Sequence, residues 1–380
     1  MRYRPMFGPD QELRLGDKLR DFSWGLLLLL LAVGCIGFAV LYSAAGGRLD
    51  PWASRQMMVF GGGLLLMVCV ALLDVRIWLR TSWLFYSLGV LMLVYTDFFG
   101  RTAMGATRWI DLGFIRLQPS EVMKIALVLT LANYFHGLSE EESAGWRGIF
   151  PPLAIIGLPV ALVMVQPDLG TAMMLLMIGA AIMFLAGVPW WLFAGGAAAA
   201  AAAAPILYTF LHDYQKKRVL IFLNPEQDPL GAGYHILQSK IALGSGGVFG
   251  KGFLEGTQGH LSFLPEKHTD FIFTSLAEEM GLVGGVGLIG LYLLIVAYGF
   301  AIAVRSSHQF GRLLAGGVAS MMFIYMFINV AMISGLVPVV GVPLPLVSYG
   351  GTSMLTLLIA FGMVMSVYIH RDLELPRRHI

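Results

Sequence analysis

What most constrains this chain is a series of apolar runs, each near the ~20 residues that an α-helix needs to cross a ~30 Å hydrocarbon core. The first, Trp24–Ala45, follows a polar tail with five basic residues and outlasts the apolar centre of a cleavable signal peptide, so it reads as a retained helix. Further runs follow at 56–73, 78–97, 119–136, 149–165, 171–187, 189–211, 281–304, 312–334 and 349–369, which makes ten. Composition agrees: with 57% hydrophobic and 13% charged residues, a soluble domain would expose large apolar patches. The expected fold is an all-α polytopic membrane protein of ten transmembrane helices, with a large extracytoplasmic loop between helices 7 and 8.

As one integral membrane domain, the chain divides into a tail (1–22), helices 1–7 (23–211), the loop (212–270), helices 8–10 (271–370) and a second tail (371–380). The fifth and sixth runs are short and separated only by Gln166-Pro167-Asp168-Leu169-Gly170, so a hairpin and one broken helix both stay open. The alanine run 197–204 suits a spanning helix, kinked at Pro205. Cys35 and Cys69 fall inside apolar runs and read as small hydrophobes, not as a disulfide or metal pair. No basic run points to nucleic acid.

Ten spans put both tails on one side. That side collects thirteen basic residues, against five in the short loops opposite: Arg48, Arg55, Arg101, Arg108 and Arg116. The positive-inside rule then makes the tails cytoplasmic; the long loop is excluded from the count because long loops translocate regardless of charge. With that orientation four polar, Pro/Gly-shaped segments share the outer face: GATRWIDLG (105–113), QPDLG (166–170), the stretch 224–270 and VPVVGVPLPLVSYGG (337–351). Irregular backbone at membrane depth is tolerated only where protein buries it or a wet cavity lies beside it, so this convergence marks a site. The stretch 224–270 is too polar to span and too apolar to be disordered, and reads as the active-site loop. Within it Tyr234–Leu243 reads as an interfacial helix, with Ile236, Leu237 and Ile241 on one side and Gln238 and Lys240 on the other.

The strings GATRWIDLG, LQPSEVMK, QPDLGTAM, LNPEQDPLGAGYHILQSKIALGSGG, GTQGHLSFLPEKHTDFIF, AEEMGLVG and VPLPLVSYGGTS, in order from Gly105 to the C-tail, resemble the SEDS (shape, elongation, division and sporulation) family, most closely its RodA branch. The resemblance implies a ten-helix glycosyltransferase of cell elongation. It would polymerise lipid II into peptidoglycan strands beside a class B penicillin-binding protein and the elongation machinery. The charged N-tail and the alanine run depart from the family pattern without touching these motifs.

Asp270 has two readings. An acid opening a helix is commonly a cap, and Thr269 is a second candidate for that role. Polymerisation, however, needs one carboxylate to take a proton from a sugar hydroxyl as it attacks an anomeric carbon, and a pyrophosphate leaves without a general acid. The resemblance implies that Asp270, in the matching HTDF motif, is that base. Glu121 and Lys124 lie one turn inside the fourth helix at i, i+3 spacing, where charges are costly and usually paired. They read either as an intrahelical pair with Lys124 snorkelling outward or as part of the site, and the resemblance favours the site.

Arg108 and Trp109 suit an interfacial anchor, or a pyrophosphate contact beside an aromatic face for a sugar or isoprenyl chain. Arg101, Lys216, Lys217, Arg218 and Lys240 compete for the anionic contact. Asp168 is a turn residue by local chemistry and a substrate contact by resemblance. Ser348 is a possible hydrogen-bond donor to substrate; no nucleophile elbow surrounds it, although His235, His260 and His268 share the long loop. A divalent cation is an open question, since carboxylates with pyrophosphate often recruit one but no fixed-spacing ligand cluster is present.

A site at the outer leaflet suits a substrate with a lipid tail and a polar head, which is the shape of lipid II. The lipid-linked glycan strand would be donor and lipid II the acceptor. A flippase or other carrier of lipid-linked substrates is the alternative, but it would place polar groups along a path reaching both faces, whereas here the outer face alone is rich. A structural scaffold would not need acids held at the membrane edge.

Overall fold

The computed structural model describes residues 14–103, 106–111, 116–210, 213–228, 232–256 and 268–375. The apolar runs form α2 (Trp24–Ala44), α3 (Ala53–Leu72), α4 (Val75–Phe99), α5 (Pro119–His136), α7 (Trp146–Val165), α8 (Leu169–Leu185), α9 (Trp190–Phe210), α12 (Ile272–Arg305), α13 (Gln309–Ile333) and α14 (Gly351–Ile369). Shorter helices are α1 (Leu15–Arg20), α6 (Glu140–Ala144), α10 (Asp213–Leu223) and α11 (Ala232–Ser245). Among the described residues α2, α3, α4, α7, α12, α13 and α14 are long and apolar enough to cross a membrane, while α8 and α9 hold shorter apolar stretches.

Burial sorts these helices into a centre and a rim. The most apolar windows of α13 and α14 are 83% and 78% buried, against 28% for α3 and α4, which turn most of their surface outward. α5 belongs to the centre. Its Glu121, Lys124 and Asn133 make it too polar for lipid, and it packs among α4, α7, α8 and α13 with nearly every residue through Ala132 buried. Small residues bring helices close where side chains would not fit. A Cβ on Gly63 of α3 would stand 2.5 Å from Leu358 of α14, and one on Gly362 of α14 would stand 2.7 Å from the Met67 carbonyl of α3.

The helices α7 and α8 pack against each other as a hairpin across the turn 166–168, which resolves the choice left open by the sequence. Three further points correct expectation. The chain is not purely helical: Arg101–Ala103 (β1), Ala106–Asp111 (β2) and Arg116–Leu117 (β3) form an antiparallel sheet in the order β1-β2-β3, with Thr102 opposite Thr107 and Ile110 opposite Leu117. Thr107, Trp109 and Ile110 suit a half-buried pleated surface, a signal that the helical apolar runs on either side masked. The eighth helix starts well before residue 281, and Gly281 is a kink inside it with φ +66. Segment 246–256 fills that break: Leu282 and Val283 donate to the Gly247 and Val248 carbonyls, and Lys251 and Gly252 donate to those of Glu278 and Glu279. Finally, α11 buries Ile236, Ser239 and Ala242, while Ile241 is exposed beside Lys240, so its inner face is rotated from the expected one. The buried set follows i, i+3, i+6 spacing, and the Ser239 hydroxyl is received at the Ile333 carbonyl, 3.2 Å away.

At the end of the bundle away from the motif loops, His308 caps α13, its Nδ1 accepting from the Gly311 amide at 2.8 Å. Burial first, then the neighbouring His136, His370 and Arg312, hold its imidazole down from 6.5 to about 4. The native state thus binds fewer protons than the unfolded chain between those values, and stability contributed by a neutral His308 is complete above pH 6.5 and lost as pH falls towards 4. Melting in detergent should therefore drop between pH 7 and 5, and His308→Asn, which keeps a capping oxygen without a titrating ring, should flatten that dependence. An unchanged pH slope in the variant would assign the effect elsewhere.

Candidate active site

The turn 268–270 leads into α12 and carries Asp270. The cap position of α12 is taken by Phe271, without a side-chain cap bond, so Asp270 lies outside the helix and does not occupy the cap that the simplest reading assigned to it. The turn is held by its main chain. Asn329 of α13 donates its amide to the Asp270 carbonyl at 3.0 Å and to the Val342 carbonyl at 2.7 Å. The Ser348 hydroxyl donates to the Thr269 carbonyl at 2.6 Å and accepts from the Leu344 amide at 2.7 Å, and the Tyr349 amide donates to the His268 carbonyl at 2.8 Å. Gln56 of α3 donates to the Ser348 carbonyl at 2.8 Å, and the His268 ring stacks on Trp52 with centroids 4.4 Å apart. Trp52, Asn329 of α13 and the 334–350 connection thus converge on three consecutive residues, and Gln56 of α3 braces the connection behind them.

Gly341 stands opposite Asp270. Its φ of +75 is a conformation that disfavours a side chain, and a Cβ there would stand 3.5 Å from Asp270 Oδ2, so this backbone lies against the carboxylate. The same connection meets the first turn of α8, where a Cβ on Gly170 would lie 2.6 Å from the Val340 carbonyl. Asp168 caps α8: it accepts from the Thr171 amide at 3.2 Å and the Thr171 hydroxyl at 2.8 Å. Three of the four motif segments are therefore in contact.

Glu121 and Lys124 are buried below this level and form a closed polar cluster with Tyr325 of α13. Lys124 Nζ lies 2.7 Å from Glu121 Oε1 and 2.5 Å from the Tyr325 hydroxyl, which donates to Glu121 Oε2 at 2.5 Å. Lys124 does not snorkel, as its 1% exposure shows. Four residues separate Tyr325 from Asn329 on one face of α13, so the cluster sits about 6 Å, one helical turn, from the clamp on Asp270.

A second buried set braces segment 246–256. Glu278 pairs with Lys251 at 2.7 Å, and Glu279 accepts from the Ser43 hydroxyl of α2. Lys240 lies exposed across the end of α13, where a Cβ on Gly335 would meet its Nζ at 2.6 Å; a cation suits that helix terminus. Trp109 is half-buried in β2, and the backbone of Arg108 precedes it there. The side chains of Arg101, Arg108, Lys217, Arg218 and His235, and the whole of His260 and Glu266, lie outside the described residues. Among the described residues no three His, Cys, Asp or Glu side chains are grouped to hold a metal ion.

Sequence reasoning passed over Tyr325, Asn329 and Gln56. Each had a signal, a polar group within an apolar span, but nothing in one dimension tells which such group faces a site. Glu278 and Glu279 appeared only within a motif string.

A family model described as "Cell cycle protein", FTSW_RODA_SPOVE, matches residues 23–373. Among curated proteins, the chain is 45% identical over 357 residues to peptidoglycan glycosyltransferase MrdB of Escherichia coli (strain K12), covering 92% of this chain and 94% of that one. It is 35% identical to peptidoglycan glycosyltransferase RodA of Treponema pallidum (strain Nichols), covering 91% and 97%. A solved structure described as "Structural coordination of polymerization and crosslinking by a peptidoglycan synthase complex" matches with a TM-score of 0.81 at 34% identity, over 92% of this chain and 98% of that one. The rod shape determining protein RodA of Thermus thermophilus matches with a TM-score of 0.71 at 30% identity, over 93% and 98%.

Proposed function

The chain belongs to the FTSW_RODA_SPOVE family of cell cycle proteins, and from that premise we propose that it is a peptidoglycan glycosyltransferase with Asp270 as the general base. It is a multi-pass protein of the inner membrane that polymerises lipid II into glycan strands during cell elongation. In this reading the chain crosses the membrane ten times as one domain, with both tails cytoplasmic, segment 212–270 periplasmic and the site on the periplasmic face.

The observation that carries the assignment is the setting of Asp270. The main chain of its turn is fixed from α13 and the 334–350 connection, its carboxylate faces a glycine, and the adjacent helix cap is another residue. A base whose main chain is fixed in this way is pre-positioned for proton transfer. Asp270 takes the proton from the acceptor hydroxyl of lipid II as that oxygen attacks the anomeric carbon of the lipid-linked strand; undecaprenyl pyrophosphate departs, and the anomeric configuration inverts. Arg108 and Lys240 are available to the pyrophosphate and Trp109 to a sugar or isoprenyl face. Glu121 and Lys124 anchor the floor of the site through Tyr325. Asp168 and Ser348 serve by holding backbone, since their polar atoms are already engaged. A class B penicillin-binding protein is the partner that would cross-link the product, in keeping with the similarity to a peptidoglycan synthase complex.

The decisive assay follows fluorescent lipid II into glycan by gel, using purified protein with and without a partner transpeptidase, and Asp270→Ala. Glycan formed by the parent and lost in the variant is the expected result; no glycan from the parent in either condition would return the chain to the flippase reading. Orientation has its own test. A protease-accessible tag within 224–260 should be cleaved from the periplasm, and one within 137–148 only from the cytoplasm. The reverse pattern would overturn the ten-span arrangement.

A further inference from the structure

Asn329 is a polar residue in the buried interior of α13. It lies in the middle of FINVAM on a helix that is otherwise apolar there, and it is fully buried. A leucine of similar size would pack there without bringing a polar group of its own. The amide brings a buried acceptor, Oδ1, that has no hydrogen-bond partner among the described residues. An unsatisfied acceptor is retained only if the other half of the group is needed, and here the NH2 is used twice. It reaches the carbonyl of Asp270, 59 residues away, and the carbonyl of Val342, 13 residues away. Both partners are carbonyls, so the orientation of the amide is not ambiguous.

These two bonds join the segment that carries the carboxylate to the segment that faces it, because Val342 follows Gly341, the residue opposite Asp270 Oδ2. The position of Asn329 is itself determined one turn away, where Tyr325 is bound to both Glu121 and Lys124. We propose that Asn329 is the positioning residue of the reaction: by bridging the Asp270 and Val342 carbonyls it sets the gap between the base and the opposite wall, through which the acceptor hydroxyl must approach. It touches neither substrate nor the reacting atoms. This rests on the reading of Asp270 as the base.

The test uses Asn329→Leu, which removes both donors at similar volume, and Asn329→Ser, which keeps one hydroxyl donor, in the full-length protein with fluorescent lipid II. Misplacing a base by about 1 Å costs ~10²-fold, so the leucine variant should lose rate on that scale in kcat with KM unchanged, and the serine variant should fall between it and the parent. The variants are also made in an Asp270→Asn background. A residue acting only through Asp270 costs nothing further once the base is gone, whereas general damage to the fold multiplies with it. A parental kcat in Asn329→Leu, a loss confined to KM, or a full additional loss in the double variant would each overturn the proposal. If Asn329→Leu does not fold, the serine variant carries the same three readouts. Asp270→Asn on its own separates the two levels: if it is active, the base assignment falls and the proposal with it; if it is inactive while Asn329→Leu is normal, only the positioning role fails.

Discussion

Asp270→Asn should lose ~10²–10⁴-fold of its polymerisation rate, the range expected for a missing general base, with little change in melting temperature. The substitution keeps the shape of the side chain and one oxygen acceptor, and removes the charge and the ability to take a proton. Since Phe271 holds the cap position of α12, no helix-capping loss is superimposed on the chemical one. Asp270→Glu keeps the base but lengthens it by a methylene in a gap lined by Gly341, so it should retain part of the activity that Asn loses. A mere cap would behave oppositely: Asn caps as well as Asp, so the Asn variant would be almost as active as the parent. A stable and fully active Asp270→Asn protein would sink the mechanism and make Glu266 the next acid to test.

Lys124→Ala should be the more damaging change to the fold. Lys124 and Glu121 are both almost wholly buried, and the cation holds Glu121 and Tyr325 together. Removing one member of a buried pair leaves an uncompensated charge, at a cost of about 3–5 kcal/mol. Stability and polymerisation should therefore fall together in the single variant. Glu121→Gln combined with Lys124→Met removes both charges, and should recover much of the stability because a buried pair contributes little over a well-packed neutral one. Activity should not return with it if the cluster anchors α13 beneath the Asp270 clamp. Recovery of both would reduce the pair to a packing feature, and loss of activity with no loss of stability in Lys124→Ala would contradict the burial argument. Thermal melts and lipid II turnover on the same preparations decide between these outcomes.

The sequence by itself determined the helices and the side of the bundle on which the motifs collect. A segment of ~20 apolar residues in lipid has one common way to satisfy its backbone, so local composition decides its structure without reference to distant residues. Nine of the ten expected segments accordingly match helices to within three residues at either end. Glu121 and Lys124 stood out for a related reason, since charge at membrane depth is expensive wherever the chain runs, whereas Asp270 was singled out by its resemblance to the HTDF motif. What only the tertiary structure decided were the relations among segments. The kink at Gly281 is invisible in an apolar run, because it exists through the fit of segment 246–256 into the broken helix. The inward face of α11 depends on which neighbour supplies a carbonyl to Ser239. Asn329, Tyr325 and Gln56 were single polar residues among many until the fold brought Asp270, Glu121 and Ser348 against them. A hydrogen bond between residues 59 or 204 positions apart leaves no period in the sequence, since it is specified by the packing of whole helices and not by the spacing of residues along any one of them.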